Sequence, residues 1–240
     1  MTTIAMAASL AAAAAPEGPR PDTFKTASGR EVAITAIKHA SLRIRYGDLE
    51  IQVDPVGKGV KPETDYSSFP KADVILVTHE HFDHFDRDAI AALRKDGTQI
   101  VANPNVQKML GSGVALKNGE SRKLAEGVTL DAVPAYNTTP GRERFHPKGR
   151  DNGYVLTIDG LRVYVAGDTE DIPEMAALKN IDVAFMPCNQ PYTMTPEQLA
   201  KAAKTVKPKV LFPYHYSQTP VKRVAELLAD TQIDVRIRKL

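Results

Sequence analysis

The sequence predicts an α/β chain in which two mixed β-sheets pack face to face, with helices on both outer faces. Three observations lead there. Strands and helices interleave from Glu31 onward. The chain divides into two strand-rich halves of similar style, each with helices enough to cover one sheet. DVILVT (73–78), DVAFMP (182–187) and KVLFPYHY (209–216) read as strands buried on both faces. Two stacked sheets with helices outside both is the simplest arrangement that buries all these faces.

The elements follow in order. EVAITAI (31–37), SLRIRY (41–46) and LEIQVD (49–54) read as three consecutive strands, with Gly47-Asp48 as a tight hairpin turn. The buried run 73–78 comes next. A helix over 87–95 takes Asp86 as its N-cap and turns Ile90 and Leu93 inward. TQIVA (98–102) is a strand and 104–110 a short helix. VTLDAVPAY (128–136) is a strand with Pro134 near its end, which marks an edge or a strand terminus. GYVLTID (153–159) and LRVYVAG (161–167) form a hairpin around Asp159-Gly160. Thr195-Pro196-Glu197-Gln198 opens a helix: threonine cap, proline at the first position, glutamine three after the cap. A last helix spans about 219–229 and a last strand about 233–238. No short-period repeat is visible.

Composition narrows the class without choosing a function. The 240 residues are 42% apolar and 25% charged, enough for one sizeable core. The net charge of +2, from 31 basic and 29 acidic side chains, argues against a cationic nucleic-acid scaffold. One cysteine, Cys188, excludes an intrachain disulfide and a four-cysteine zinc site. Nothing beside it in sequence would lower its pKa, so it reads as a packing residue. Metal chemistry here would have to run on the six histidines and on carboxylates.

Residues 1–21 form an Ala-rich leader, and residues 22–240 form the domain. The apolar run IAMAASLAAAAA is far shorter than the ~20 residues of a spanning helix, and no integral membrane segment is expected. An apolar middle and an Ala-x-Ala end suit a secretory signal, but the basic start is missing, since the first cation is Arg20. Export and a disordered tail both stand as readings. Pro16 and Pro19 tilt the balance toward a periplasmic or secreted protein over a cytoplasmic one.

The chemistry concentrates in THEHFDH (78–84). His79, His81, Asp83 and His84 are four residues of metal-ligand type within six positions, a pattern that composition alone would yield on the order of once in several thousand chains. His79 and His81, two apart in extended backbone, point to one side and can share one ion. Asp83 and His84, past the turn, can face a second. A solvated turn is the bland alternative, and burying the group without an ion is costly.

This motif resembles the metallo-β-lactamase superfamily, whose fold is a four-layer αββα sandwich of metal-dependent hydrolases. The resemblance covers roughly 31–240. ITAIKHASLRI…LEIQVDP (34–55) is similar to the family's opening strands and puts His39 and Asp54 beside the site. AGDT (166–169) resembles the segment whose aspartate bridges two metals, here Asp168. PYHY (213–216) resembles the C-terminal strand-end histidine, here His215. The branch it is most similar to holds compact single-domain hydrolases like the ascorbate-phosphate lactonases. Phosphodiesterases of the N-acylphosphatidylethanolamine type are further relatives. The resemblance implies two divalent ions, zinc by default, with manganese, iron or nickel also suited to His/Asp sites. A metal-activated water would be the nucleophile, oriented by Asp83 and Asp168. The substrate would be a small molecule: an ester or lactone, then a phosphoester, with a nuclease reading disfavoured. A non-catalytic metal-binding protein is a further alternative. The relatives with two irons resemble His-x-Glu-x-Asp, whereas histidine stands at position 81 here.

One position departs from the family. The third histidine of the first metal site is expected after the strand ending DAVPAYN, where Asn137 stands beside Tyr136. Asparagine is a weak zinc ligand. His146, in the loop 137–152, is the candidate replacement, with a surface histidine as the alternative. Arg142, Arg144, Lys148 and Arg150 in the same loop could meet an anionic substrate or be solvated. Asn189, Gln190 and Tyr192 follow another strand on the same rim and are candidate substrate contacts. Tyr136 or Tyr192 could donate a hydrogen bond to an oxyanion or leaving group.

Overall fold

Side-chain alternation sorts each central strand between two neighbours. In the strand Val74–Val77, Val74 and Leu76 join one buried cluster while Ile75 and Val77 join another. In Val183–Pro187, Val183 and Phe185 face one way, Ala184 and Met186 the other. The structure, a computed structural model, describes residues 19–240. Residues 1–18 of the Ala-rich leader lie outside the described residues.

The first sheet holds β1 (Asp22–Lys25), β2 (Glu31–Lys38), β3 (Ser41–Tyr46), β4 (Leu49–Val53), β5 (Val74–Val77), β6 (Gln99–Ala102) and β7 (Val114–Ala115), in that order. The second holds β8 (Ser121–Ala125), β9 (Val128–Ala135), β10 (Asp151–Ile158), β11 (Leu161–Val165), β12 (Val183–Pro187), β13 (Val210–Tyr214) and β14 (Asp234–Val235), also in order. Each sheet begins with three antiparallel pairings and ends with three parallel ones. The duplication visible in the sequence is therefore a repeated topology.

Three apolar clusters fill the three interfaces of a four-layer αββα sandwich. The largest, including Leu76, Tyr154, Phe185 and Phe212, lies between the sheets. Phe185 and Phe212 stack at 4.7 Å there. A second joins α1 (Arg87–Leu93) and α2 (Pro104–Leu110) to the first sheet. A third joins α3 (Pro196–Val206) and α4 (Lys222–Leu227) to the second.

Local chemistry sets the helix starts. Asp86 caps α1 by accepting from the amides of Asp88 and Ala89, and Thr195 with Gln198 forms the reciprocal capping box of α3. The hairpin turns close where expected, at Tyr46↔Leu49 and Ile158↔Leu161. Pro134 is next to last in β9, past the stretch that β8 pairs with, so its missing N–H leaves no ladder bond unmade. The last helix and strand are shorter than expected, and β1, β7 and β8 were not anticipated. Among the described residues, no helix is long and apolar enough to cross a membrane.

The sheets are tied together at one end. The amide of His215 donates to the carbonyl of His39 at 3.0 Å, and that of Asn152 to Thr78 at 3.1 Å. Gly167 makes that approach possible: a Cβ on it would sit 2.6 Å from the Asn152 carbonyl. The residues that follow β4, β5, β11, β12 and β13 gather here, at the carboxyl ends of the parallel strands, as is usual for ligand sites of such sheets.

Candidate metal centre

Asp168 stands between two groups of imidazoles. Its Oδ2 lies 3.4 Å from His146 Nε2, 3.3 Å from His215 Nε2 and 3.9 Å from His79 Nε2, and its Oδ1 lies 3.4 Å from His84 Nε2. Asp83 Oδ2 lies 3.3 Å from His215 Nε2 and 3.0 Å from His39 Nε2. Three overlapping ligand sets result, the candidate atoms of each within 4.8 Å of one another: His79, His81 and His146; His79, His84 and Asp168; His39, Asp83, His84 and His215.

The far nitrogens explain why the near ones converge. His84 Nδ1 meets Asp54 Oδ2 at 2.7 Å. Thr78 Oγ1 donates to the same Asp54 oxygen at 2.6 Å, so it accepts from His79 Nδ1 at 3.0 Å. His146 Nδ1 meets Asp151 Oδ2 at 2.9 Å. Each bond fixes the tautomer with hydrogen on Nδ1 and leaves the Nε2 lone pair aimed inward. His79 Nε2, His84 Nε2 and Asp168 Oδ1 are buried with no hydrogen-bond partner. Such groups cost about 1–3 kcal/mol each unless something else satisfies them. A divalent ion bound by imidazole nitrogen and carboxylate oxygen would do so, and the donor set fits one.

Charge is strongly perturbed here. Burial, then the neighbouring His84, pushes His79 well below its usual pKa. At Asp168 burial acts upward, but His215 and His84 outweigh it and hold the carboxyl well below its range. At His84 burial acts downward, and Asp168 and Asp54 outweigh it to draw the imidazole well above its usual value, so without an ion the ring favours its charged form and an ion would have to displace the Nε2 proton before taking that lone pair. His39, Asp54 and His215 all carry positive φ, of 48°, 43° and 48°. Non-glycine residues in that region cost of order 1–3 kcal/mol and cluster at functional sites.

All seven proposed ligand positions, His79, His81, Asp83, His84, His146, Asp168 and His215, fall in these sets. His146 reaches the centre because its loop folds back: the Asn137 amide donates to the His146 carbonyl at 2.8 Å. Asn137 itself belongs to none of the sets. Its Nδ2 donates to the Tyr192 carbonyl at 2.7 Å and the Arg142 carbonyl at 3.3 Å, so it staples the loop to the opposite wall. Asp54 is beside the centre as expected, and His39 enters a ligand set, where a pocket-lining role was expected.

The rim residues divide. Asn189 and Tyr192 line a cleft of about 550 Å³ above the centre, together with Glu80, Phe82 and Phe145. Gln190 does not line it; its amide turns to the Thr193 carbonyl and toward Gln198 at the start of α3. Tyr136 is also turned away: its hydroxyl donates to Glu174 at 2.8 Å and accepts from Lys148 at 3.2 Å. The loop cations are engaged within the protein. Arg142 faces Glu170, Lys148 pairs with Glu174, and Arg150 pairs with Asp151 and Glu80, while Arg144 lies over the Phe145 ring. Sequence reasoning missed Asp151, Thr78, Phe82 and Phe145. Phe82 carried a signal, an apolar residue inside a polar ligand motif. Asp151 carried none short of the loop's fold.

Two mixed sheets between helices, with imidazoles and aspartates converging at their joined end, define a metal-dependent hydrolase of the metallo-β-lactamase type. Residues 33–215 match the family model of the β-lactamase superfamily domain, and the chain belongs to that superfamily. It is 33% identical over 204 residues to a UPF0173 metal-dependent hydrolase of Thermococcus kodakarensis, covering 79% of this chain and 86% of that one. The crystal structure of a candidate metal-dependent hydrolase from Parabacteroides distasonis is similar at a TM-score of 0.89 and 57% identity, covering 92% of this chain and 99% of that one. A metallo hydrolase from Ignicoccus hospitalis is similar at a TM-score of 0.70 and 25% identity, over 87% and 95% of the two chains.

Proposed function

We propose that this chain hydrolyses a small ester or lactone at a dinuclear centre, with zinc the first candidate metal. His79, His81 and His146 would hold one ion, Asp83, His84 and His215 the other, and Asp168 would reach both. The position of Asp168 between two imidazole groups, with buried and unpartnered Nε2 atoms on either side, carries this reading. Bound there, divalent ions supply an acidified water and polarise the scissile oxygen.

The chain's own residues do the positioning. Asp54, Thr78 and Asp151 fix the imidazole tautomers from behind, which keeps the Nε2 atoms aimed at the centre. Asp83 and Asp168 present carboxylate oxygens to the attacking water and orient it. Tyr192 and Asn189, on the cleft wall, are placed to donate to the substrate's developing oxyanion or leaving group. Tyr136 is not, because its hydroxyl is committed to Glu174. The cleft volume suits a small molecule.

The test is metal analysis of the purified protein coupled to a panel of ester, lactone, phosphodiester and β-lactam substrates. About two ions per chain and chelator-sensitive turnover of an ester or lactone are expected. Full metal and full activity in His81→Ala would end the assignment.

A further inference from the structure

Among the described residues, three large apolar side chains are exposed: Phe82 at 71%, Met109 at 47% and Tyr192 at 45%. All three border the metal centre or the hollow next to it. Phe82 and Tyr192 line the metal cleft, with Phe145 packed edge-on against Tyr192 at 5.0 Å. Phe82 and Met109 line an adjoining hollow of about 560 Å³, which shares Glu80 with the cleft. Phe85 and Arg87 also line that hollow; the Arg87 guanidinium lies over the Phe85 ring and donates to the Met109 carbonyl. Lys58, Gly59, Asp86 and Asp88 complete its lining. Phe82 is thus a shared wall, and past it the cleft opens onto a hollow whose apolar side chains, Phe82, Phe85 and Met109, stand among charged ones.

The charges say what the occupant is not. Among the described residues, no lysine or arginine lines the metal cleft. Arg142, Lys148 and Arg150 of the neighbouring loop already face carboxylates, and Arg144 covers the Phe145 ring. A phosphate group is ordinarily gripped by such cations, through forked or point-charge hydrogen bonds. None is offered at the metal cleft, where Phe82, Phe145 and Tyr192 present apolar surface instead; the cations of the groove, Lys58 and Arg87, stand only on the outer hollow, and Arg87 is committed to the Met109 carbonyl and the Phe85 ring.

We infer that the groove from the metal cleft across Phe82 to Met109 holds the apolar acyl arm of a neutral ester or lactone. This rests on the hydrolase reading above and adds the substrate's character to it. An arm lying along the groove removes its methylenes from water, and their burial should raise kcat/KM about two- to fourfold per methylene.

The experiment uses the metal-loaded full chain. Turnover of 4-nitrophenyl acetate, butyrate, hexanoate and octanoate gives the chain-length slope, and bis(4-nitrophenyl) phosphate serves as the phosphodiester. Binding of the product carboxylates, acetate to octanoate, is measured in parallel. The expected result is a rising slope that falls by half or more in Phe82→Ser and in Met109→Ser. A flat slope with active enzyme overturns the groove and leaves the hydrolase reading standing. Preference for the phosphodiester overturns the neutral substrate. A flat slope with Phe82-dependent sedimentation on phosphatidylcholine vesicles assigns the apolar surface to a membrane and also overturns it. Absence of turnover on every substrate counts against the hydrolase reading alone. In that case octanoate binding that exceeds acetate binding and depends on Phe82 supports the groove, and equal binding overturns it.

Discussion

Asp54 accepts a 2.7 Å hydrogen bond from the imidazole of His84, and both side chains are wholly buried. The same carboxylate accepts from the amide and the hydroxyl of Thr78. In Asp54→Asn an amide N–H would face His84 Nδ1 and push the ring hydrogen to Nε2, the nitrogen aimed at the centre. Metal affinity should fall about 10- to 100-fold with the far-UV spectrum unchanged. Equal metal affinity in the variant would show that Asp54 does not set the His84 tautomer.

His146 and Asn137 should separate cleanly. His146→Ala deletes a nitrogen directed at Asp168 and should lose at least one ion per chain. Asn137→Ala leaves every imidazole in place but unpairs the carbonyls of Tyr192 and Arg142. It should cost about 1–3 kcal/mol of stability while retaining metal. Unchanged metal in the His146 variant would return that histidine to a loop residue.

Lys38 is buried, and its ammonium donates to the carbonyls of Gly57, Val60 and Pro62 at 2.9, 2.9 and 3.0 Å. Those bonds hold the loop after β4 in place. Lys38→Met keeps the apolar stem and leaves three carbonyls short of a donor. A loss of about 2–4 kcal/mol is expected in urea unfolding. A midpoint equal to wild type would show the loop to be held without it.

Ion removal should be visible in stability as well as activity. A ligand present at a hundred times its Kd contributes about 2.7 kcal/mol, or about 5–10 °C in Tm for a domain of this size. Melting curves with and without chelator measure it. A Tm that falls with chelator in a chain that turns over none of the substrates would favour the non-catalytic metal-binding alternative, whereas an unmoved Tm together with unmoved activity would show that no ion is used.

Cys188 is buried behind the second sheet, and burial pushes its thiol up to about 12. It should resist iodoacetamide at pH 8 in the folded protein and react promptly in denaturant. Labelling of the native chain at the rate of a free thiol would contradict the packing role.

The central strands were legible because burial on both faces writes a continuous apolar run, as in Val74–Val77. The helix starts were legible because capping is local chemistry, as at Thr195. The unanticipated β1, β7 and β8 are edge strands. An edge strand is short or polar because one side faces no partner, so it carries little alternation; Ser121–Ala125 reads SRKLA. At the site, the ligand motif was legible because its spacing is local. The turning away of Tyr136 was not, since it answers to Glu174, 38 residues along the chain, and that of Gln190 was not, since it depends on how the turn before α3 folds onto Thr193 and Gln198. Asp151 was hidden because its role exists only once the loop closes on His146.

The repeated topology bears on how the centre can fail. Residues 22–115 build one sheet and carry His39, Asp54, His79, His81, Asp83 and His84; residues 121–235 build the other and carry His146, Asp151, Asp168 and His215. Neither half holds a complete ligand set around Asp168. The centre is therefore arranged like a site at a subunit boundary enclosed within one polypeptide. A slip between the halves too small to melt either one would be enough to disassemble it, so catalytic competence reports on the seam before it reports on the fold.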